Sequence, residues 1–239
     1  MQIKIIVKLI NKLELPISYH HILQSILYTP LRVNLKFNNL HDEGLKTGKR
    51  EYKLFTFGPI KGHYIIKNKT IIFDDVIQFE VRSCYEEVIT CIAEDIEANG
   101  IRFGDSTYRD IIVERRDFHI VSDDIIIQMV SPVTVHKTET NSNFTRYFNP
   151  NEYEFFQYVE NNFIRKYRAY FGRESSKEVS FSKICVSEND KYITRYKNII
   201  IEGYFGTYRL KGDVDALDFL YQVGLGAKNS QGFGMFEIV

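Results

Sequence analysis

The C-terminal stretch DVDALDFLYQVGLGAKNSQGFGMFEIV, residues 213–239, carries the strongest fold signal in this chain of 239 residues. Asp213 suits the N-cap of a short helix, because its carboxylate can accept from the first free backbone amides. The apolar residues that follow recur at helical spacing, and Gly224 suits the helix C-terminus. Four glycines lie in residues 224–234, here called the glycine-rich loop, and an apolar strand is expected over residues 233–239. The stretch therefore predicts a helix, a glycine-rich loop and a final strand.

The rest of the chain extends this pattern into two similar halves. The second half also predicts strands at residues 125–135, 178–186 and 192–205, with a helix ending near residue 171. The first half predicts strands near residues 3–10, 52–57, 64–67, 70–81 and 111–120, and helices at about residues 16–29 and 86–98. Pro16 is expected in the first turn of the first helix, and Thr29-Pro30 at its end. Each half has the order β-α-β-β-α-β, so the sequence predicts an α+β protein of two tandem ferredoxin-like (RRM-like) domains, residues 1–122 and 123–239.

The composition is that of an ordered globular protein, with 44% hydrophobic and 26% charged residues. The N-terminal residues interleave lysines with apolar side chains and lack the unbroken apolar run of a signal peptide or membrane span. A cytoplasmic protein is therefore expected. Cys84, Cys91 and Cys185 show no CxxC spacing, which argues against a structural zinc site, and they are expected to be reduced thiols in the core.

The net charge is zero, but the charges are unevenly distributed. Residues 32–69 hold nine Lys or Arg against three acids, whereas residues 74–99 hold eight acids against one Arg. A neutral chain with one basic face can still attract phosphate, so a nucleic-acid partner is not excluded. Two solvated surfaces of opposite sign are the alternative interpretation.

The glycine-rich loop suits a phosphate group, because backbone amides without side-chain bulk and small polar side chains can approach an anion. A dinucleotide fingerprint is excluded, since position 229 is Asn and the loop runs from a helix to a strand. The absence of Gly-Lys-Ser or Gly-Lys-Thr excludes a P-loop. The candidates for RNA contact are Gly224, Gly226, Lys228, Asn229, Ser230, Gln231, Gly232 and Gly234. A flexible connector without a ligand is the alternative.

Three further segments accompany this loop: LHDEG at residues 40–44, KREYKLFTF at residues 49–57 and QMVSPVTVHK at residues 128–137. Together with the loop and the two-domain order, they make the chain resemble the CRISPR-associated repeat RNA endoribonucleases, the Cas-six family of the RAMP superfamily. The resemblance covers essentially the whole chain. It implies a metal-independent, cofactor-free ribonuclease in which a 2′-hydroxyl attacks the adjacent phosphate and leaves 2′,3′-cyclic phosphate and 5′-hydroxyl ends. The implied partner is CRISPR repeat RNA.

The resemblance places the catalytic histidine at His41. Histidine suits acid or base catalysis because its ordinary pKa of about 6.5 leaves both forms available near neutral pH. A surface histidine without a role is the alternative. Tyr28 matches a position where several family members have a tyrosine that aids catalysis or placement. Lys46 and Lys49 are both candidates to stabilise charge on the phosphorane, and the spacing does not choose between them.

Arg168, Lys197 and Arg209 are expected to bind phosphates along the repeat, with an ordinary solvated surface as the alternative. The resemblance also leaves open two other functions, a non-cleaving repeat-RNA-binding protein and a structural subunit of a CRISPR effector complex. Other effector subunits and a second copy of the chain in a homodimer are further candidate partners. A membrane is not expected.

Overall fold

The structure is a computed structural model that describes residues 1–33, 45–47, 50–139, 144–172, 178–196 and 199–239. Four α-helices lie in this part of the chain: α1 (His20–Val33), α2 (Glu86–Asn99), α3 (Tyr153–Phe171) and α4 (Val214–Val223). None of these four helices is long and apolar enough to span a lipid bilayer.

The first half builds a six-stranded antiparallel sheet around one long strand. Its described strands are β1 (Gln2–Lys8), β2 (Leu13–Pro16), β3 (Leu45–Thr47), β4 (Arg50–Tyr52), β5 (Phe55–Phe57), β6 (Lys61–Lys67), β7 (Thr70–Ser83), β8 (Ile101–Phe103), β9 (Ser106–Tyr108) and β10 (Ile111–Arg116). The sheet has the order β10-β1-β7-β2, and β5 and β6 also pair with β7. Strands β3 and β4 form a separate hairpin, as do β8 and β9.

The second half builds a four-stranded antiparallel sheet with two additional hairpins. Its described strands are β11 (Asp124–Met129), β12 (His136–Thr138), β13 (Thr145–Tyr147), β14 (Val179–Cys185), β15 (Lys191–Tyr196), β16 (Ile199–Tyr204), β17 (Thr207–Gly212) and β18 (Phe236–Ile238). The sheet order is β14-β17-β11-β18, while β12 pairs with β13 and β15 pairs with β16.

Both sheets have the strand order of a ferredoxin-like fold. In each, the first strand lies between the last strand and the third, as in β10-β1-β7-β5 and β18-β11-β17-β14. A helix follows the first strand, and another follows the third. The predicted tandem ferredoxin-like fold is therefore confirmed.

Pro16 and Pro30 do not have the positions relative to α1 that the sequence predicts. Pro16 lies in the edge strand β2, opposite Thr70, and α1 begins only at His20. An edge strand accepts proline because its missing amide can face away from the ladder. Helix α1 also continues through Pro30 to Val33, so the prediction that Pro30 ends the helix was wrong. Proline removes one helical hydrogen bond, but Leu31 beyond it is fully packed in the core and stabilises the last turn.

Several predicted strands also differ from the observed ones, and one cysteine is exposed where a buried thiol was expected. The strand predicted at residues 125–135 ends at Met129, because the amides of Val130 and Ser131 both donate to the Met235 carbonyl and leave the ladder. The strand predicted at residues 192–205 is the hairpin β15–β16.

Cys185 is exposed at the end of β14, so it is not a core thiol.

The two halves of the chain meet through buried contacts. Arg82 of β7 is 1% exposed, and its Nη1 donates a 2.6 Å hydrogen bond to the carbonyl of Phe236 in β18. Its guanidinium lies 3.9 Å from the centroid of the Tyr221 ring in α4. Leu54, from the first half, packs in the core of the second half. The glycine-rich loop, which follows α4 directly, packs against β5 and α1 and therefore lies between the two halves.

Candidate nucleic-acid interface

The glycine-rich loop is held to the neighbouring backbone at several points. The Leu225 amide donates to the Gly234 carbonyl at 2.8 Å, which closes the loop at its base. The amides of Ala227 and Gly234 donate to the carbonyls of Thr134 and Pro132, at 2.8 and 3.0 Å. These bonds tie the loop to the segment between β11 and β12. The loop is thus a braced element and not a flexible connector.

The four glycines have backbone conformations that other residues rarely adopt. Their φ angles lie between +63° and +86°, in the left-handed region: Gly224, Gly226, Gly232 and Gly234. A Cβ on Gly232 would also lie 2.6 Å from the His20 ring and 2.8 Å from the Phe57 ring. The glycines therefore let the loop pack closely on α1 and β5, and all four are buried.

The four polar residues of the loop are Asn229, which braces the loop, and three residues with half-buried side chains. Asn229 is 8% exposed, and its Nδ2 donates to the carbonyls of Leu225 and Phe233 at 2.8 and 3.0 Å. Both amide hydrogens of Asn229 are used inside the loop, and the contact of this residue with RNA stays a prediction. Lys228, Ser230 and Gln231 are half-buried and line cavities beside the loop.

One cavity lies between the loop and α1, and we call it the α1-side cavity. It has a volume of about 450 Å³, and its lining includes Arg32, Lys53, Tyr28 and Ser230. The Tyr28 hydroxyl hydrogen-bonds the side chains of Ser230 and Gln24, and burial raises the pKa of Tyr28 to about 12. The Lys53 Nζ lies 5.1 Å from the centroid of the Tyr28 ring. A sequence-predicted catalytic residue therefore touches the loop directly.

A second cavity lies between the loop, α3 and β12, and we call it the α3-side cavity. It has a volume of about 730 Å³, and its lining includes His136, Lys137, Asn162, Lys166 and Lys228. The two cavities share Lys53, Ser230 and Gln231 in their linings, so they adjoin at the loop, and we call the two together the trough. Among the residues that the structure describes, neither lining contains a carboxylate. The trough is therefore suited to an anionic ligand longer than a single phosphate.

Lys166 is the most buried cation of this trough. Its side chain is 3% exposed, and its Nζ donates a 2.7 Å hydrogen bond to the carbonyl of Gly224, where the loop begins. Desolvation by burial lowers the pKa of Lys166 to about 7. The start of the glycine-rich loop is thus tied to α3 as well as to α4.

The structure describes only some of the other predicted catalytic and RNA-binding residues. His41, Lys49 and Lys197 lie outside the described residues, and Lys46 is described only by its backbone, in β3 opposite Glu51. Strand β3 lies beside α3.

Two predicted RNA contacts lie on α3 and on the second sheet. Arg168 is exposed on α3, and Arg209 of β17 forms a bidentate ion pair with Asp124. Neither is among the described residues that line the trough. A phosphate at Arg209 would have to compete with the Asp124 carboxylate.

Several residues of the trough were missed by sequence reasoning: Arg32, Lys53, Lys137, Asn162 and Lys166. Two of them left a signal that could have been used. Asn162 and Lys166 are spaced four residues apart on the same stripe of α3 as Val159, Phe163 and Tyr167, which is otherwise apolar. Polar residues on a buried helix stripe indicate a specific contact, because burial without one is costly.

The same trough and loop fall within a sequence match to a known family. The family described as "CRISPR associated protein Cas6, C-terminal" matches residues 114–238, more than half of the chain. This range includes α3, α4, the second sheet and the whole glycine-rich loop. The chain belongs to the Cas6 family. In this Cas6 protein, Lys166, Asn162 and His136 lie within the matched range, whereas Tyr28, Arg32 and Lys53 come from the first half.

Three individual Cas6 or RAMP proteins are similar to the chain over nearly its full length. The CRISPR-associated endoribonuclease Cas6 1 of Methanocaldococcus jannaschii is 24% identical, over 98% of this chain and 91% of the relative. A solved structure described as a Cas6-related gene product from Pyrococcus furiosus has a TM-score of 0.81 at 20% identity, covering 100% of this chain and 98% of the other. A structure described as "An RAMP protein binding different RNA substrates" also has a TM-score of 0.81, at 19% identity, covering 100% and 99%. The fold of both halves is thus that of known Cas6 and RAMP structures.

Proposed function

We propose that this Cas6 family protein is a metal-independent endoribonuclease that cleaves CRISPR repeat RNA and so matures guide RNAs. One observation carries the proposal: the two cation-lined cavities of the trough adjoin at the glycine-rich loop, where Ser230 contacts Tyr28. The name of the Methanocaldococcus jannaschii relative, an endoribonuclease, supports cleavage of RNA. The RNA bound by a similar RAMP structure supports the class of ligand.

The proposed chemistry has three parts. A 2′-hydroxyl attacks the adjacent phosphorus in line, a 2′,3′-cyclic phosphate forms, and the 5′-oxygen leaves with a proton. One group must take the 2′ proton, one must protonate the 5′-oxygen, and a cation must stabilise the phosphorane.

We assign His41 as the leading acid or base. Its segment of the chain joins α1, which ends beside the Arg32 wall of the α1-side cavity, to β3, which lies beside α3. The end of α1 therefore adjoins the trough, and β3 contacts the helix that carries Asn162 and Lys166. Tyr28 is the proposed second participant, since its hydroxyl lies at the junction of α1 and the loop.

The candidates for the cation that stabilises the phosphorane are Lys46 and Lys49, and Lys53 is a third candidate. Lys53 lines both cavities and lies over the Tyr28 ring, so its ammonium is close to the proposed site of cleavage. A lysine ammonium brings a positive charge that stabilises the negative charge developing on the phosphorane oxygens.

The proposed binding surface for the rest of the repeat is the loop together with Arg168, Lys197 and Arg209. In the loop, the half-buried side chains of Lys228, Ser230 and Gln231 are its proposed RNA contacts. The glycines act by allowing the close packing of the loop.

The test is single-turnover cleavage of the cognate repeat RNA in EDTA. We expect product with a 2′,3′-cyclic phosphate, and loss of cleavage in His41→Ala with RNA binding retained. His21→Ala and His136→Ala report on the two described histidines that line the trough. His63→Ala is the matched control, because His63 lies on the exposed strand β6 and pairs with Asp74.

Cleavage that requires Mg²⁺, or a His41→Ala variant as fast as the unchanged protein, would overturn the mechanism. Tight binding without product under these conditions would support the alternative of a non-cleaving repeat-RNA-binding protein or effector subunit. Analytical ultracentrifugation of the same samples tests the proposed homodimer.

A further inference from the structure

The α3-side cavity has a buried polar floor that the proposed cleavage chemistry does not use. Lys166 and Asn162 lie one turn apart on α3, are 3% and 7% exposed, and both line the cavity. In the described part of the chain, the Gly224 carbonyl is the one hydrogen-bond acceptor that Lys166 Nζ contacts. An ammonium has three N–H donors, so the donors that remain can serve a ligand in the cavity.

The electrostatics of this floor favour an anion. The described lining holds four lysines, Lys53, Lys137, Lys166 and Lys228, and no carboxylate. Burial of an ammonium without a counter-ion is costly, and this cost is expressed in the lowered pKa of Lys166. A ligand that brings a negative charge next to Lys166 would recover the cost and favour its charged form.

The position of this floor identifies which anion would reach it. The cavity shares Ser230 and Gln231 with the α1-side cavity, where Tyr28 lies. A nucleic-acid strand that passes Tyr28 and crosses the loop would reach the α3-side cavity and its four lysines.

We propose that Lys166 and Asn162 bind one phosphate of the RNA backbone, at a linkage other than the one that is cut. The proposal rests on the proposed function, because it takes the strand at Tyr28 to be RNA. Lys166 thereby contacts both the phosphate and the Gly224 carbonyl, and so holds the glycine-rich loop next to the bound RNA. The site selects where the strand lies without touching the reacting atoms.

The experiment is a scan of the repeat RNA with single methylphosphonate linkages, each of which removes the charge of one phosphate. Cleavage is blocked by one 2′-deoxy nucleotide at the mapped cut, so only binding is measured. The proteins compared are the unchanged chain, Lys166→Met, Asn162→Leu and the control Lys67→Met. Lys67 is an exposed lysine on β6, outside both cavities.

We expect Lys166→Met to weaken binding of unmodified RNA about 10-fold or more, as for loss of a hydrogen bond to a charged group, and to lower the salt slope of log K by about 1. One methylphosphonate should weaken binding to the unchanged protein by a similar factor and have almost no further effect on Lys166→Met. Asn162→Leu, which leaves the Gly224 contact in place, should show the same insensitivity at the same linkage. Lys67→Met should keep the pattern of the unchanged protein.

Lys166→Met could instead lose as much RNA affinity from each methylphosphonate as the unchanged protein does. That result would mean that the lysine only positions the loop, and it would overturn the proposal. If Lys166→Met does not fold, Asn162→Leu alone tests the proposal. The proposal is overturned if each methylphosphonate weakens RNA binding by Asn162→Leu as much as binding by the unchanged protein. Failure of the unchanged protein to bind the repeat RNA would instead contradict the proposed function, so the two failures are distinct.

Discussion

The hydroxyl of Tyr28 in α1 hydrogen-bonds the side chain of Ser230 in the glycine-rich loop, across 202 residues of sequence. This bond joins the first half of the chain to a loop that lies within the range matched by the Cas6 family. It also lies where the two cavities of the trough meet, since Ser230 lines both and Tyr28 lines one. The loop and α1 are therefore parts of one site.

The first prediction concerns this bond. We expect Tyr28→Phe and Ser230→Ala each to slow single-turnover cleavage about tenfold, because either change removes the hydroxyl that orients the other. The double variant should be no slower than the worse single variant, since both remove the same interaction. Tyr64→Phe on the exposed strand β6 is the control. Multiplicative effects of the two changes would show that the residues act separately.

The second prediction concerns two reasons for glycine in the loop: close packing against neighbouring side chains, and the left-handed backbone conformation. Gly104→Ala and Gly232→Ala both place a side chain at positive φ, but Gly104 has nothing within 4 Å of its added Cβ. We expect Gly104→Ala to lower the free energy of unfolding by about 1 kcal/mol and Gly232→Ala by about 3 kcal/mol, because the second Cβ also overlaps the rings of His20 and Phe57. Urea unfolding of both variants measures the difference. Equal losses would mean that the rings move away at little cost.

The third prediction tests the junction between the halves. Arg82→Met removes the guanidinium that donates hydrogen bonds to the Phe236 carbonyl and the Glu80 carboxylate. Both acceptors then lose these hydrogen bonds. We expect the free energy of unfolding to fall by about 3 kcal/mol. Arg115→Met is the control, because its pair with Glu97 is exposed and should contribute less than about 1 kcal/mol. Similar losses in the two variants would contradict a special role for the buried arginine.

The fourth prediction is a pH dependence of stability caused by Lys166. Burial lowers the pKa of this lysine to about 7, so the unfolded chain binds a proton that the folded chain lacks between about pH 7 and the ordinary lysine pKa. Stability should therefore rise with pH in this window. Above about pH 9 the buried Cys84 acts in the opposite direction, because its pKa is raised and the unfolded thiol ionises first.

The measurement is the free energy of unfolding of the unchanged protein minus that of Lys166→Met, at pH 7, 8 and 9. We expect this difference to rise by about 1 to 2 kcal/mol across the range. A difference that stays constant with pH would mean that Lys166 keeps its proton in the folded chain.

The sequence predicted much of the fold because its main signals are local. Strand β1 alternates side chains at period two, α3 repeats apolar residues at helical spacing, and Asp213 caps α4 by accepting from the Asp215 amide at 3.0 Å, as expected. It failed where tertiary packing outweighs a local rule. Pro30 lies inside α1 because Leu31 packs in the core, and the strand after Asp124 ends early because two amides turn to Met235.

By itself, the sequence determined the order of the elements, the tandem ferredoxin-like fold and the resemblance to the Cas6 family, in which the glycine-rich loop marks the RAMP superfamily. These features follow from periodicity and from residue types that are close together in the chain. Only the tertiary structure placed Tyr28 against Ser230, used the Asn229 amide inside the loop and set Lys166 under Gly224. Such contacts join distant residues by packing two sheets and their helices together. The helical stripe of α3 indicates that Lys166 is buried, but only the packing shows that it lies under Gly224.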